Sequence, residues 1–514
     1  MPEVQTQPAS VRLRGRVVDL ADLVVRGLDV PAALLRLAHR PGLVALDSAS
    51  GAPGRWSLVA FDPLEQFPAP GPGGARGKRL SEQGRGHQEG ALPASASQDP
   101  AAGARPASLG DLRQVLDDVA WEGGLPPGPF CGGFIGAIAY DLGVEGEVLE
   151  LPPAAWPQPP IAGGLYRDWL VFELDESGIV REAHLVVADR AGSGDDGDQR
   201  AASVLEDLGR DAGEPEPQSP TVHRRHVSSD EHQGRVEQAR ALIGRGEIYQ
   251  ANICHRMTAP VSTGPLDLYL ELRRQNPAPY MGYLGFTFPD GALGAILSSS
   301  PELMLELEAR GVEGRRARTR PIKGTIACGA DAASDTLQRE RLLGSEKDRA
   351  ELAMIVDLER NDLGRISVPG GVTVGEFPRL ETYRGLHHLV TDVTGEVRPE
   401  CSAVDVVAAL FPGGSITGAP KLRSMEAIGE IEGEGRGFFT GSMGFIDLQG
   451  RATFNILIRT LIHRTGEDGE REVSFHVGGG ITWSSDAKAE DDETMLKASA
   501  MIAALSGFAL PGRP

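Results

Sequence analysis

Acidic and basic side chains share one face of the last helical stretch of the sequence. Glu490, Glu493 and Lys497 stand at positions i, i+3 and i+7, so they project from the same side of a helix. Such a run is often only a solvated surface. It can also hold a hard cation, because Mg²⁺ needs only one or two carboxylates besides water and substrate. Spacing alone leaves a surface face and a metal site as open alternatives.

Two further charged residues could reach a cavity. Glu351 leads into an apolar stripe at helical spacing, where a carboxylate lies either near the surface or beside the core. Lys323 stands between Pro321 and Gly324, and such bracketing is typical of a surface loop. To act as a nucleophile, a lysine with a reference pKa of about 10.4 needs burial or a nearby cation to lose its proton.

Two glycine-rich segments could approach an anion through backbone N–H groups. The segment 413–421 is not a Walker loop, because Ala419 follows Gly418 where a lysine is required. The run Gly478, Gly479, Gly480 likewise lacks the third glycine of a dinucleotide fingerprint. His387-His388 has no zinc-motif spacing. These segments therefore favour neither a nucleotide site nor a zinc finger.

The elements that must position these residues are mixed strands and helices. Apolar periodicity predicts helices over 231–244, 346–360 and 487–505, and strands over 44–48, 56–61, 249–258, 442–448, 452–463 and 473–482, with two short strands within 292–308. The order shows no regular β-α alternation, which favours an α+β fold.

Composition divides the chain into two regions. Residues 67–107 are rich in Pro, Gly, Ala, Ser and Gln, which predicts a flexible insert in an N-terminal region spanning 1–220. A second biased stretch, 192–220, is predicted to end that region. The texture from 228 to 505 is more regular and predicts a second domain.

Charge and cysteine use restrict the functional class. The net charge of −21 disfavours binding to nucleic acid, and an anionic substrate would need local donors or a metal. The four cysteines include no C-x-x-C pair and are predicted to be reduced. The sequence has neither a signal-peptide pattern in its first ten residues nor an apolar run of membrane-spanning length, so a cytoplasmic location is predicted.

The order of several short motifs closely resembles the chorismate-utilising enzymes, which include anthranilate synthase, aminodeoxychorismate synthase and isochorismate synthase. The motifs are Tyr249-Gln250-Ala251-Asn252, Ser300-Pro301-Glu302, Pro321 to Thr325, Lys347 to Glu351, Asp357 to Asp362, Gly413 to Lys421, Gly478 to Gly480 and Asp492-Glu493-Thr494. The resemblance spans about residues 228–505. A looser one includes Arg55-Trp56-Ser57 and Gly132 to Gly136.

The resemblance implies a role for each candidate residue. Glu351 and Glu493 match Mg²⁺ ligands, with Glu490 nearby. Glu302 matches the general acid that protonates a departing hydroxyl. The remaining matches are His388 and Thr325 in the active site, and Gln250, Arg459, Gly478, Gly479, Gly480 and Lys497 around the substrate, chorismate.

Two positions discriminate among the reactions of the family. Isochorismate synthases have a water-activating lysine where this sequence has Gln250, and a neutral amide cannot serve as that base. Anthranilate synthases usually have alanine where this sequence has Lys323, whereas aminodeoxychorismate synthases have lysine. The sequence is therefore most similar to the synthase component of the latter, in which the lysine is a covalent nucleophile. Anthranilate synthase and a catalytically silent regulatory subunit are the alternatives.

The resemblance also implies a fold and partners. We expect two antiparallel sheets packed as a sandwich with helices outside. There is no Gly-x-Cys-x-Gly glutaminase segment, so ammonia would come from solution or from a separate glutamine amidotransferase subunit. Asn276 to Met281 and Leu46-Asp47-Ser48 resemble segments that form a tryptophan site in anthranilate synthases, which leaves bound tryptophan as an open alternative.

Overall fold

The computed structural model describes residues 11–49, 55–67, 108–192, 196–309, 314–383 and 386–506. The predicted insert at 67–107 lies outside the described residues, apart from Phe67. The strands are β1 Val11–Asp19, β2 Val44–Asp47, β3 Trp56–Ala60, β4 Glu65–Phe67, β5 Val119–Trp121, β6 Gly133–Ile138, β7 Ile161–Tyr166, β8 Asp168–Leu174, β9 Val180–Arg190, β10 Arg224–Arg225, β11 Gln250–Pro260, β12 Tyr280–Thr287, β13 Leu293–Ser300, β14 Leu303–Leu307, β15 Arg315–Arg320, β16 Ile322–Ala327, β17 Ser367–Val374, β18 Arg379–Tyr383, β19 Leu386–Val390, β20 Val393–Val397, β21 Gly418–Ala419, β22 Ser442–Asp447, β23 Ala452–Asn455, β24 Thr460–Thr465 and β25 Arg471–Ile481.

The helices are α1 Ala21–Val25, α2 Val30–Arg36, α3 Leu109–Asp117, α4 Gly197–Leu208, α5 Ser229–Gly244, α6 Pro265–Gln275, α7 Ala332–Leu343, α8 Glu346–Gly364, α9 Ala403–Leu410, α10 Lys421–Glu432 and α11 Ala487–Ser506. Short 3-10 helices cover Tyr140–Val144 and Gly414–Ile416.

Two large sheets, both mainly antiparallel, form the body of the protein. One has the order β10-β11-β25-β24-β13-β12-β2-β3-β8-β9-β1-β5, with β21 paired to β11. The other has the order β17-β20-β15-β14-β23-β22-β6-β7-β4. The β1–β5 pair is parallel. Each sheet combines strands from before and after residue 220, so residues far apart in the sequence meet in one layer.

The two sheets pack face to face with helices on both outer faces. A buried apolar cluster between them joins Leu58 and Ile296 of the first sheet to Ile135 and Phe445 of the second. Residues of α2, α4, α6 and α11 pack on the outer face of the first sheet. Residues of α3, α8 and α9 pack on the second. The predicted α+β sandwich with external helices is therefore confirmed.

A third, small sheet with the order β16-β19-β18 was not expected from the sequence. It contains Lys323 in β16 and His388 in β19. The segment around Lys323, whose proline and glycine are typical of a surface loop, is therefore a strand. The register shifts between Lys323 and Thr325, where Gly324 has a φ of +74°. Pro321 stands just before the strand and Gly324 forms the bulge inside it, and these are positions at which a strand tolerates the two residues.

One other local prediction was wrong. The expected single strand over 452–463 is divided into β23 and β24, with Arg459 between them at a φ of +51°. The biased stretch 192–220 contains helix α4, which buries Val204 and Leu208 against the first sheet.

Candidate functional site

The glycine run Gly478 to Gly480 lies in β25, beside β11. In the register of this pair, Gly478 faces Cys254 and Gly480 faces Asn252. A Cβ atom on Gly478 would lie 2.2 Å from the carbonyl oxygen of Ile253. Glycine is therefore required there by the closeness of the two backbones.

Gly480 opens the space in which two functional side chains meet. A Cβ atom at this position would lie 3.1 Å from Nε2 of Gln250 and 3.5 Å from Nζ of Lys323. Gln250 is fully buried, and neither polar atom of its amide has a hydrogen-bond partner among the described residues. A buried amide without partners is costly, so these atoms are available to a bound polar ligand.

Burial and two carboxylates act on the amine of Lys323 in opposite directions. Burial lowers its pKa below the ordinary value, while the carboxylates of Glu351 and Glu302 oppose this effect. Desolvation disfavours the ammonium form, and only the neutral amine is a nucleophile.

Glu302 follows β13 and is 6% exposed. Its Oε1 atom has no hydrogen-bond partner among the described residues. Burial raises the pKa of this carboxyl, although the positive charges of Lys323 and Arg459 act in the opposite direction. A carboxyl with a raised pKa keeps its proton at higher pH, as a general acid requires.

His388 and Thr325 face each other across β16 and β19. Their register pairs them directly, and Oγ1 of Thr325 lies 2.9 Å from Nδ1 of His388. Burial lowers the pKa of His388 to about 4, and the charge of Arg459 adds to the effect. His388 is therefore a neutral hydrogen-bonding group at neutral pH, and Arg459 acts electrostatically on both this ring and Glu302.

The acidic residues of α8 and α11 converge around a lysine. Nζ of Lys347 lies 3.9 Å from Oε1 of Glu351 and 3.7 Å from Oε1 of Glu490. Burial raises the pKa of Glu351. The hydroxyl of Ser485 donates a hydrogen bond of 2.7 Å to Oε1 of Glu490. Because one cationic atom reaches both carboxylates, the two face a common space.

Glu493 is paired with Lys497 instead. Nζ of Lys497 is 2.9 Å from Oε1 of Glu493 and 3.2 Å from the carbonyl oxygen of Gly478. Burial alone would raise the pKa of Glu493, but Lys497 outweighs it and lowers that pKa. A Cβ atom on Gly479 would lie 3.2 Å from Oε2 of Glu490 and 3.5 Å from Nζ of Lys497, so the glycine run borders this cluster.

The carboxylates suit a hard divalent cation by type, because Mg²⁺ prefers oxygen ligands. Oε1 of Glu351 is buried and has no hydrogen-bond partner among the described residues. The side chain of Glu493 is 52% exposed, which leaves it free to change rotamer. The ligand atoms of residues 351, 490 and 493 do not all lie within 4.8 Å of one another, so holding such an ion would require a rotamer change such as that open to Glu493.

The structure thus brings the predicted residues to one region, and it adds three that sequence reasoning missed. Lys347 stands four residues before Glu351, a spacing that indicates a helical ion pair. Ser485 precedes α11 and orients Glu490. Glu359 is a buried carboxyl in the apolar stripe of α8, hydrogen-bonded by Thr319, and burial raises its pKa to about 8. The sequence signal that could have identified Glu359 is a carboxylate within an otherwise apolar stripe.

Apart from these residues, a cavity of about 220 Å³ lies between the two large sheets. Leu46, Asp47 and Ser48, at β2, and Pro279, Tyr280 and Met281, at the neighbouring β12, line the wall formed by the first sheet. These are the two segments whose sequences resemble a tryptophan site. Below the cavity, the fully buried carboxylate of Asp47 accepts hydrogen bonds from Ser57 at 2.8 Å and from Arg273 at 2.5 Å.

Comparisons with known proteins identify the family. A family model described as chorismate binding enzyme matches residues 81–503. The chain belongs to the chorismate-binding enzyme family. It is 37% identical over 420 residues to anthranilate synthase component 1 3 of Haloarcula marismortui, with 80% of each chain covered.

A relative named for a different activity has the same sequence identity to this chorismate-binding enzyme. Aminodeoxychorismate synthase component 1 of Klebsiella aerogenes is 37% identical over 380 residues, covering 73% of this chain and 77% of the relative. The crystal structure of anthranilate synthase component I from Streptococcus pneumoniae superposes with a TM-score of 0.68 at 29% identity, covering 88% of this chain and 92% of that one. Within the described residues, no helix is both long and apolar enough to cross a membrane.

Proposed function

We propose that this enzyme is the synthase component of an aminodeoxychorismate synthase, which converts chorismate and ammonia to 4-amino-4-deoxychorismate. The observation that supports this choice is the position of Lys323. Its amine lies beside Gly480 and Gln250, and burial lowers its pKa. A lysine without a role in the reaction would be expected to point to solvent, where its charge is hydrated.

The proposed reaction has two substitutions at the ring. The neutral amine of Lys323 attacks carbon 2, and the double bonds shift as the hydroxyl at carbon 4 leaves. Glu302 gives its proton to that hydroxyl, which departs as water. Ammonia then adds at carbon 4, the double bonds shift back, and the lysine amine leaves carbon 2. Dividing one difficult substitution into two is the usual benefit of a covalent intermediate.

The other residues bind and orient the substrate in this proposal. The buried amide of Gln250 and the backbone N–H groups of Gly478 to Gly480 would donate hydrogen bonds to a carboxylate. Arg459 would pair with the same group, while His388 and Thr325 would hold the ring near Glu302. Such positioned donors stabilise charge without having to reorganise during the reaction.

A Mg²⁺ ion is proposed to bind at Glu351 and Glu493, with Glu490 close by. When bound, the ion would neutralise a substrate carboxylate in a protein whose net charge is −21. Lys347 and Lys497 now interact with these same carboxylates, at 2.9 to 3.9 Å. The lysines would move away as the ion binds, since cations repel each other.

Ammonia is proposed to come from a separate glutamine amidotransferase subunit. The sequence has no Gly-x-Cys-x-Gly segment, and three of its four cysteines are buried. A buried thiol cannot reach glutamine as a nucleophile. Free ammonium salt should therefore replace the partner in an assay.

Anthranilate synthase component I is the second candidate, favoured by the relatives that bear that name. The 220 Å³ cavity, as a proposed tryptophan site, also supports this second candidate. Glu306 and Arg318, which form an ion pair with each other, line the cavity, and a bound amino acid would exchange that pair for contacts with its own ammonium and carboxylate groups. Calorimetric titration with tryptophan would test the site, and absence of binding at millimolar concentration would exclude it.

The deciding experiment measures both products of chorismate amination. The enzyme is given chorismate, Mg²⁺ and ammonium salt with a separate aminodeoxychorismate lyase, and p-aminobenzoate and anthranilate are quantified for the native chain and for Lys323→Ala. We expect p-aminobenzoate, with a loss of at least about 100-fold in the variant. Lys488→Ala, which changes an exposed lysine of α11 paired with Asp492, should match the native rate.

The other outcomes distinguish the alternatives. Anthranilate as the main product would identify the second candidate and make Lys323 a bystander. Chorismate left unchanged under all conditions would indicate a catalytically silent subunit.

A further inference from the structure

Three potential metal ligands from separate elements meet behind the small sheet. Cys328 follows β16, Asp335 lies in α7 and His387 lies in β19. One ligand atom from each residue lies within 4.8 Å of the other two. Sγ of Cys328 is 3.9 Å from Nδ1 of His387, and Oδ1 of Asp335 is 2.9 Å from its Nε2.

The three residues lie on the face of the small sheet opposite to the candidate active site. His388 pairs with Thr325 and His387 pairs with Ile326 in the β16–β19 register. Successive side chains of a strand point to opposite faces. The His388–Thr325 contact is therefore on one face, and the His387 cluster is on the other.

The hydrogen bond of His387 to Thr382 favours metal binding through Nε2. Oγ1 of Thr382 lies 2.7 Å from Nδ1 of His387. Without an ion, Nε2–H donates to Oδ1 of Asp335 and Nδ1 accepts from the hydroxyl of Thr382. When an ion takes the place of the Nε2 proton, Nδ1–H would donate to that hydroxyl, as in histidine ligands that are oriented by an outer hydrogen bond. Two ligands at about 2.05 Å from a tetrahedral ion lie about 3.3 Å apart. The 2.9 Å separation of Nε2 and Oδ1 needs only a small adjustment to reach that value.

The charges and the exposure of the cluster also suit a cation. The carboxylate of Asp335 offers a negative charge to a divalent cation beside the thiol of Cys328. The side chain of Asp335 is 28% exposed while that of His387 is 1% exposed, so an ion could enter from the Asp335 side and complete its coordination with water.

We propose that Cys328, Asp335 and His387 form a binding site for a borderline-soft divalent metal ion such as Zn²⁺, separate from the carboxylate cluster. A thiolate, an imidazole and one carboxylate are the donor types that such ions prefer. The ion would tie the end of β16 to β19 and α7. Since Lys323 and His388 lie on these same two strands, the site would stiffen the sheet that positions them.

The experiment uses the full chain, reduced and free of metal, titrated with Co²⁺ as a spectroscopic probe. We expect one equivalent to produce a near-ultraviolet thiolate-to-cobalt charge-transfer band, which oxygen ligands cannot give, and Zn²⁺ to displace it. Cys328→Ser should abolish the band. Cys401→Ser, which changes a buried thiol elsewhere in the fold, should retain it. The band should also persist in excess Mg²⁺ and in Glu493→Gln.

Thermal denaturation gives a second measurement that does not depend on the spectrum. Zn²⁺ should raise the Tm of the native chain by a few degrees and leave that of Cys328→Ser unchanged. The proposal is refuted if stoichiometric Co²⁺ gives no charge-transfer band. It is equally refuted if the band survives in Cys328→Ser, or if excess Mg²⁺ abolishes it.

Discussion

Replacing Glu302 with glutamine tests the proposed general acid directly. The side chain is 6% exposed, and glutamine has nearly the same volume, so packing is preserved. Glutamine cannot release a proton to the departing hydroxyl. The variant should therefore bind chorismate normally but turn it over slowly.

The size of the effect follows from the role. General acid catalysis contributes about 10²- to 10⁴-fold to a rate. The charges of Lys323 and Arg459 oppose the effect of burial on the pKa of Glu302, and we expect a loss in kcat at the lower end of that range, about 10²- to 10³-fold. This corresponds to about 2.7–4.1 kcal/mol at about 1.36 kcal/mol per factor of ten. KM should change by less than about threefold, because no group that binds the ground state is lost.

The pH dependence gives an independent reading. Burial raises the pKa of Glu302, and the acid form is the one present below that pKa. The native kcat should therefore fall as the pH rises through it, and Glu302→Gln should lose this decline. Initial rates of chorismate consumption between pH 6 and pH 9, at saturating Mg²⁺ and ammonia, measure both curves.

A matched variant guards against a general effect of removing a carboxyl. Glu308→Gln changes an exposed residue just after β14 and should leave the rate and its pH profile as in the native enzyme. A Glu302→Gln rate within about threefold of the native rate, or a variant profile with the same decline at high pH, would show that another group protonates the leaving hydroxyl.

Three further changes test other parts of the structure. Arg273→Met leaves the fully buried carboxylate of Asp47 without its ion pair and should lower the free energy of unfolding in urea by about 3–5 kcal/mol. Glu351→Gln should raise the Mg²⁺ concentration for half-maximal activity at least about tenfold, because one anionic ligand is lost. A tenfold change corresponds to about 1.4 kcal/mol of Mg²⁺ binding free energy. Gly480→Ala would place a methyl group 3.1 Å from the nearest side-chain amide and should lower kcat/KM about tenfold without unfolding the protein.

Each of these changes has a control substitution, either in the same helix or, for Gly480, in another strand. Arg274→Met removes an exposed arginine of α6 and should alter stability by less than about 0.5 kcal/mol. Glu346→Gln, at the exposed start of α8, should leave the Mg²⁺ requirement unchanged. Gly285→Ala places its methyl group in open space on β12 and should leave kcat/KM as it was. A control that behaves like its test variant would contradict the assigned cause.

The sequence was sufficient for the fold class because the motif order fixes the family and the strong helices follow local periodicity. Helix α8 shows this well: Leu352, Ile355 and Val356 stand at helical spacing in the sequence and are buried in the structure. The carboxylates of α11 also lie where their spacing predicts. Local patterns succeed when the element depends mainly on residues near to it in the chain.

The failures occur where distant strands decide the local structure. Nothing near Lys323 in the sequence indicates that β19, about sixty residues later, pairs with its segment and converts it to a strand. Likewise the positive φ of Arg459 interrupts the segment 452–463, whose sequence predicts one continuous strand. The cluster of Cys328, Asp335 and His387 is invisible to local motif spacing for the same reason, since its members come from three elements.

The junctions between the two parts of each sheet have a consequence for attempts to shorten the protein. The first sheet joins its halves through the β2–β12 pair and the second through the β6–β22 pair. Expressing residues from 228 onward alone would leave β12 and β22 as newly exposed edges with unpaired backbone donors and acceptors. Open edges of this kind recruit strands from other molecules, so such a fragment should aggregate or form dimers by strand exchange. The N-terminal region thus also protects the catalytic region from self-association.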